Sequence, residues 1–133
     1  MKRNPRVTVV GIDGGTWKLL KPLMQDGVMP NLARLVEGGA SGDLRSTLPP
    51  WTPTAWSSFA TGKNPGKHGV FGFASQKADG SATWTSSKSV RAASLWHILN
   101  QHGLTTGLLN VPMTYPPQEI NGFMISGFPS PAA

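Results

Sequence analysis

The sequence predicts an α/β sandwich, a three-layer α/β/α arrangement around a mostly parallel sheet. Three observations point there. The run Arg6-Val-Thr-Val-Val-Gly-Ile12 is β-branched with little polar alternation, the pattern of a strand covered on both faces. Helix-period and strand-like stretches then follow in the order strand, helix, helix, strand, helix, helix, strand. No internal repeat or heptad breaks that order, and 133 residues are enough for one domain with a real core.

Val7 to Ile12 reads as a central strand that delivers Asp13 to its carboxyl end. After Asp13-Gly-Gly15, Thr16 can cap a helix carrying Trp17, Leu20, Leu23 and Met24 on one side, and Pro22 should kink or split it. Pro30 and Asn31 open a second helix, with Leu32, Leu35 and Val36 buried and Gly38-Gly39 as its stop. Ala40 to Thr47 reads as a further strand. Leu48-Pro-Pro-Trp51 is a rigid approach loop, because two consecutive prolines remove donors and fix the backbone. Thr52 is then placed as an N-cap, Pro53 as the first helical residue, and Gly62 as the terminator of a short helix containing Trp56, Phe59 and Ala60.

Lys63 to Phe73 is turn-rich. Gln76 to Arg91 is polar, with a turn at Ala78-Asp-Gly80, and reads either as a surface hairpin or as a flexible excursion. Ala92 to His102 has Leu95, Ile98 and Leu99 at helical spacing and ends at Gly103; Leu104 to Val111 and Phe123 to Ser126 return to strand pattern. Trp17, Trp56, Phe59 and Trp96 lie at helical spacing and are expected in the core.

Composition removes several classes. Without cysteine there is no disulfide framework, thiolate metal site or cysteine nucleophile. The charged start Met1-Lys-Arg-Asn-Pro-Arg6 is followed by an apolar stretch that Gly11 interrupts and Asp13 stops, too short for export or a membrane span, so the chain reads as soluble and cytoplasmic. Twelve Lys and Arg face only Asp13, Asp26, Glu37, Asp43, Asp79 and Glu119, a net charge of +6. The cations are spread along the chain without aromatic interleaving, so the surplus points to a small anionic substrate or an acidic remainder of the protein rather than to nucleic acid.

A helix opening at Thr52 would aim backbone donors, such as the amides of Thr54 and Ala55, at whatever sits beside the Thr52 hydroxyl. A threonine hydroxyl is a poor nucleophile at neutral pH and needs a base or a metal. Asp13 is the residue that could hold a divalent cation shared with Thr52. From the residues alone two readings stay open: a shared cation site, or a helix cap at Thr52 and a turn residue at Asp13.

Three segments, Gly11-Ile-Asp-Gly14, Met29-Pro-Asn-Leu-Ala-Arg-Leu-Val-Glu-Gly-Gly39 and Thr52-Pro-Thr-Ala-Trp-Ser-Ser-Phe-Ala-Thr-Gly-Lys-Asn-Pro-Gly-Lys-His-Gly-Val70, together resemble the amino-terminal part of the alkaline phosphatase superfamily. Within it the likeness is to the type I phosphodiesterase and nucleotide pyrophosphatase branch. It covers most of residues 7 to 73, with weaker support from Leu95 to Leu99 and Asn110 to Pro116.

The resemblance implies a metal-dependent phosphoester hydrolase, of the phosphodiesterase or phosphatase type. In it Asp13 is a metal ligand, and Thr52, nine residues before the Thr of Thr61-Gly62, is both nucleophile and metal ligand. The Pro65-Gly-Lys-His-Gly69 turn follows, with His68 structural. Two divalent ions, zinc, are implied, the second held by residues absent from this chain. Residues 1–133 would then be an amino-terminal, incomplete part of a catalytic domain, inactive alone. Its partners would be the remainder of that domain and a small phosphoester substrate, with no nucleic acid and no membrane.

Thr54 stands where many relatives carry Pro, which leaves a choice between Thr52 and Thr54 that spacing resolves toward Thr52. Ala55 replaces an Asn that often binds phosphate in nucleotide pyrophosphatases, which speaks against nucleotide substrates; Thr52 in place of Cys or Ser speaks against sulfatases. Asp26, Glu37, Asp43 and Asp79 read as solvated surface, and His97 and His102 are five apart, not a chelating i, i+4 pair. Trp51 and Phe71 flank the site and are candidates to line it, and Lys63 and Lys67 either attract phosphate or are simply solvated.

Two other classes stand beside this reading. Val10-Gly-Ile-Asp-Gly-Gly-Thr16 resembles the first phosphate loop of actin-like sugar kinases, although Trp17 to Met24 has helical rather than strand periodicity. A non-catalytic binding protein of the same fold is the other.

Overall fold

The computed structural model describes residues 6–130. Residues 1–5 of the charged start and 131–133 of the Pro-Ser-Pro-Ala-Ala tail lie outside the described residues. The chain divides between Leu44 and Arg45 into two units.

In the first unit, α1 (Trp17–Gln25) and α2 (Pro30–Gly38) pack on each other. Thr16 caps α1: its hydroxyl accepts from the Lys18 amide at 3.4 Å, and its carbonyl takes the Leu20 amide at 2.9 Å. Pro22 lies inside α1 without splitting it. It lacks only its own donor, while its carbonyl still accepts the Asp26 amide at 2.9 Å, so the turn closes around it. Pro30 occupies the first turn of α2, where a missing N–H costs nothing, and Gly39 caps the far end. Leu35 is 72% exposed, contrary to expectation. One facing helix covers only a narrow stripe, here the half-buried Leu32, Ala33 and Val36.

Neither Val7 to Ile12 nor Ala40 to Thr47 forms a strand, which corrects both expectations. A β-branched run has the propensity for extended structure, but a ladder needs a partner edge, and no pairing involves either segment among the described residues. Val7, Val9 and Val10 are exposed.

The second unit holds α3 (Thr52–Thr61), α4 (Pro65–His68), the strands β1 (Ala74–Gln76) and β2 (Ala82–Trp84), a 3-10 turn at Ser87–Ser89, α5 (Leu95–Gln101), β3 (Thr106–Val111) and β4 (Gly122–Ser126). The polar segment after Phe73 is a hairpin. β1 and β2 pair antiparallel, with Ser75 opposite Thr83. Gly80 supplies the positive φ of the turn, and Asp79 accepts from the Ser81 hydroxyl (2.6 Å) and amide (2.9 Å). Those two bonds, the hydroxyl first, hold the Asp79 carboxyl below its ordinary pKa.

β3 and β4 pair in parallel, from Thr106 opposite Gly122 to Val111 opposite Ser126. A register shift between Leu109 and Val111 places Asn110 at φ 54°. At Gly122, φ is 141° and a Cβ would lie 1.8 Å from the Thr106 carbonyl oxygen, so only glycine fits this start of β4. The core lies where α3, α5 and β3 meet: Ala60, Trp96 and Leu108, with Val111, Ile120 and Met124 packed against them. Of the aromatics expected inside, Trp96 is buried, Trp17 and Trp56 are half-buried, and Phe59 is exposed, touching Trp56 edge-on at 5.8 Å.

Asn100 ties the end of α5 to both strands. The two hydrogens of its amide nitrogen are shared among the Leu104 carbonyl (2.8 Å), the Thr106 hydroxyl (3.2 Å) and the Asn121 carbonyl (3.3 Å), and its oxygen accepts from the Asn121 amide (2.9 Å). The class is α/β, with one parallel strand pair and one antiparallel hairpin among the described residues. No described helix is long and apolar enough to cross a membrane.

Candidate functional site

Asp13 belongs to the first unit and Thr52 to the second. Asp13 sits in a turn closed by the Gly15 amide on the Ile12 carbonyl at 3.2 Å, and Gly14 takes the left-handed φ of 66° that the turn requires. The residue is exposed. Helix α1 starts at Trp17, directly after Asp13-Gly-Gly-Thr16. The second hairpin strand of a kinase phosphate loop is therefore lacking, and that alternative falls.

Thr52 is the first helical residue of α3, one position later in the cap than expected, and is half-buried. Trp51 is the N-cap: its backbone is extended (φ −104°, ψ 151°) and its carbonyl accepts the Ala55 amide at 2.9 Å. Pro53 brings no N–H and fits the first turn, which moves the cap back to Trp51. The expected pair of free donors at Thr54 and Ala55 is thus corrected, since the Ala55 amide is spent inside the helix and only Thr54 remains of the two.

The inner face of α3 carries Pro53, Thr54, Ser57, Ala60 and Thr61, all buried. Thr54 Oγ1 and Ser57 Oγ have no hydrogen-bond partner. Thr61 returns its hydroxyl hydrogen to the Ser57 carbonyl at 2.7 Å, and Gly62 ends the helix at φ 63° with its amide on the Ser58 carbonyl at 2.8 Å. Trp51 is seated against Gly72, where an added Cβ would come within 3.1 Å of its ring; the indole is half-exposed beside Thr52.

Behind the helix, His68 is completely buried. The Val70 amide donates to its Nδ1 at 3.1 Å, so Nδ1 carries a lone pair and Nε2 carries the hydrogen. That hydrogen goes to Ser58 Oγ at 2.9 Å. Burial lowers the imidazole pKa, which keeps the ring neutral. Asn64 caps α4 through Oδ1, which accepts the Lys67 amide at 3.1 Å, and Gly69 turns the chain at φ 80° beneath the Arg91 side chain. The Pro65 to Gly69 turn thus braces the outer side of α3 through its one buried side chain, His68.

A cavity of about 250 Å³ lies inside the second unit, with Ser57, Ser94, Trp96, His97, Met113 and Gln118 in its wall. Ser94, the cap of α5, is 2.6 Å from His97 Nδ1, and Trp96 Nε1 donates to Gln118 at 3.4 Å. Sequence reading missed the Ser58–His68 pair, the two orphan hydroxyls and the Asn100 hub. Only the Pro65 to Gly69 motif hinted at the first, and nothing in the spacing marked the others.

Among the described residues no three His, Cys, Asp or Glu side chains gather as a metal centre. Asp13 and Thr52 each carry an oxygen donor of the kind a divalent ion takes.

The profile of the type I phosphodiesterase / nucleotide pyrophosphatase family matches residues 7–131. The chain belongs to that family. No curated protein and no solved structure matches it significantly. Membership in the type I phosphodiesterase / nucleotide pyrophosphatase family points to phosphoester hydrolysis as the class of chemistry, and the match runs past the Thr52 to Val70 block to include α5, β3 and β4.

Proposed function

We propose that this chain is the amino-terminal part, residues 1–133, of a metal-dependent phosphodiesterase or phosphatase in which Thr52 is the nucleophile. In this reading the complete catalytic domain is a three-layer α/β/α sandwich in the cytoplasm, and its remainder is the partner of this chain. Asp13 and Thr52 would hold one of two divalent ions, zinc, and residues beyond this chain would hold the other. A bound divalent ion would favour the Thr52 alkoxide and offset charge on the phosphoryl oxygens.

The Thr52 oxygen attacks phosphorus in line with the departing alcohol, forming a phosphothreonine that water then hydrolyses. The Thr54 amide and the positive end of the α3 dipole face the anion at the helix start. The observation that carries this reading is the family match across residues 7–131, together with the contrast between two hydroxyls. Thr54 is fully buried, whereas Thr52 is half-buried at the first turn, where a substrate can reach it. Ala55 supplies no side-chain donor, in keeping with a phosphoester other than a nucleotide.

The test is turnover of bis(p-nitrophenyl) phosphate and p-nitrophenyl phosphate by the complete protein. Thr52→Ala should abolish turnover while leaving metal content intact in one site, and Asp13→Ala should lower bound metal measured by elemental analysis. Normal turnover by Thr52→Ala would remove the nucleophile assignment. The 133-residue chain alone should turn over neither ester.

A further inference from the structure

We propose that the basin at the carboxyl end of α3 binds the dianionic phosphate of a small organic phosphate, at a site separate from Thr52. The basin, about 530 Å³, lies between the Arg45 to Leu48 segment and the Ser58 to Gly66 stretch, with Phe71 also in its wall. Arg45 and Lys63 line it, and no carboxylate does. The second unit holds six Lys and Arg against Asp79 and Glu119 alone, and Asp79 is engaged with Ser81 in the hairpin turn. Nothing in the wall neutralises the two cations.

The neutral donors are set by the brace behind them. Val70 fixes the tautomer of His68, so the imidazole must donate to Ser58 and cannot accept from it. Ser58 Oγ therefore keeps its own hydrogen for another acceptor, and Ser58 lines the basin. Asn64 spends its carbonyl oxygen on the Lys67 amide, which leaves its NH₂ group to donate. Thr47 contributes no donor, because its hydroxyl hydrogen goes to the Pro49 carbonyl at 2.9 Å. The carbonyls that would make a helix end hostile to an anion are partly quenched, since Ser57 and Ser58 carbonyls accept from the Thr61 hydroxyl and the Gly62 amide.

Two cations and two oriented neutral donors match a phosphate dianion better than a carboxylate. Exposed Leu48 and Phe71 in the same wall offer a surface for an apolar body attached to it. Ser58 lies six residues along α3 from Thr52, about 9 Å at the helical rise, so one phosphorus cannot contact both hydroxyls. The inference thus stands independently of the hydrolase reading.

The experiment is titration of the chain, in EDTA, with phenyl phosphate, inorganic phosphate and benzoate, followed by calorimetry and by amide NMR shifts. Phenyl phosphate should bind saturably, shift the Ser58, Lys63 and Asn64 amides, and bind more tightly than either other probe. Affinity should fall about tenfold in Lys63→Gln and in Arg45→Gln, exposed positions whose change spares the core, and fall again as salt rises. Absence of saturable binding, indifference to both cation variants, unshifted Ser58, Lys63 and Asn64 amides, or equal affinity for benzoate would each overturn the proposal.

Discussion

Replacing His68 by Leu should cost the fold roughly 2 kcal/mol, a figure that follows from the two bonds of the ring. Removing Nδ1 leaves the buried Val70 amide without an acceptor, a penalty of about 1–3 kcal/mol. Loss of the bond to half-buried Ser58 adds about 0.5–1.5 kcal/mol. The more apolar leucine returns about 1 kcal/mol by burial. Urea unfolding followed by tryptophan fluorescence should show the midpoint lowered by about 1 M. A shift smaller than about 0.3 M would refute the tautomer assignment and the bracing role together.

The same geometry fixes a pH dependence. Burial holds the folded pKa of His68 below its ordinary 6.5, so as pH falls through that value the unfolded chain takes up a proton that the folded chain does not. Stability should be full above about pH 7.5 and decline as pH drops below 6.5 toward the folded pKa. His68→Leu, lower throughout, should lack this part of the slope.

Two further substitutions probe the interior. Thr54→Val removes a fully buried hydroxyl that has no partner while keeping the shape of the side chain, and should raise stability by about 1 kcal/mol in thermal unfolding; a loss of that size would mean the hydroxyl is bonded. Asn100→Leu removes the side-chain bonds that tie the end of α5 to Leu104 and Thr106 at the start of β3 and to Asn121 just before β4, and should cost about 3 kcal/mol with β3 and β4 amides losing hydrogen-exchange protection first. Unaltered exchange there would show that the strand pair holds without it.

What the sequence determined by itself is local chemistry. Thr16 and Gly62 mark helix ends because capping and left-handed backbone are properties of single residues, and both are where spacing placed them. The block from Thr52 to Val70 carries its family in its order, and the family match bears that out. Leu104 to Val111 and Phe123 to Ser126 read as strands from side-chain type, and both are strands.

Tertiary structure decided what depends on partners. Val7 to Ile12 has the composition of a strand, yet hydrogen-bonded pairing belongs to two segments and cannot be read from one. Leu35 and Phe59 fit an apolar face, but burial requires packing against another element, and both stay exposed. The tautomer of His68 and the hydrogen left on Ser58 arise from a bond to Val70 two residues on and a second to Ser58 ten residues back on another helix, and the buried oxygen of Thr54 from being held away from any partner. Residue type sets which bonds a side chain is able to make, and only the fold chooses among them.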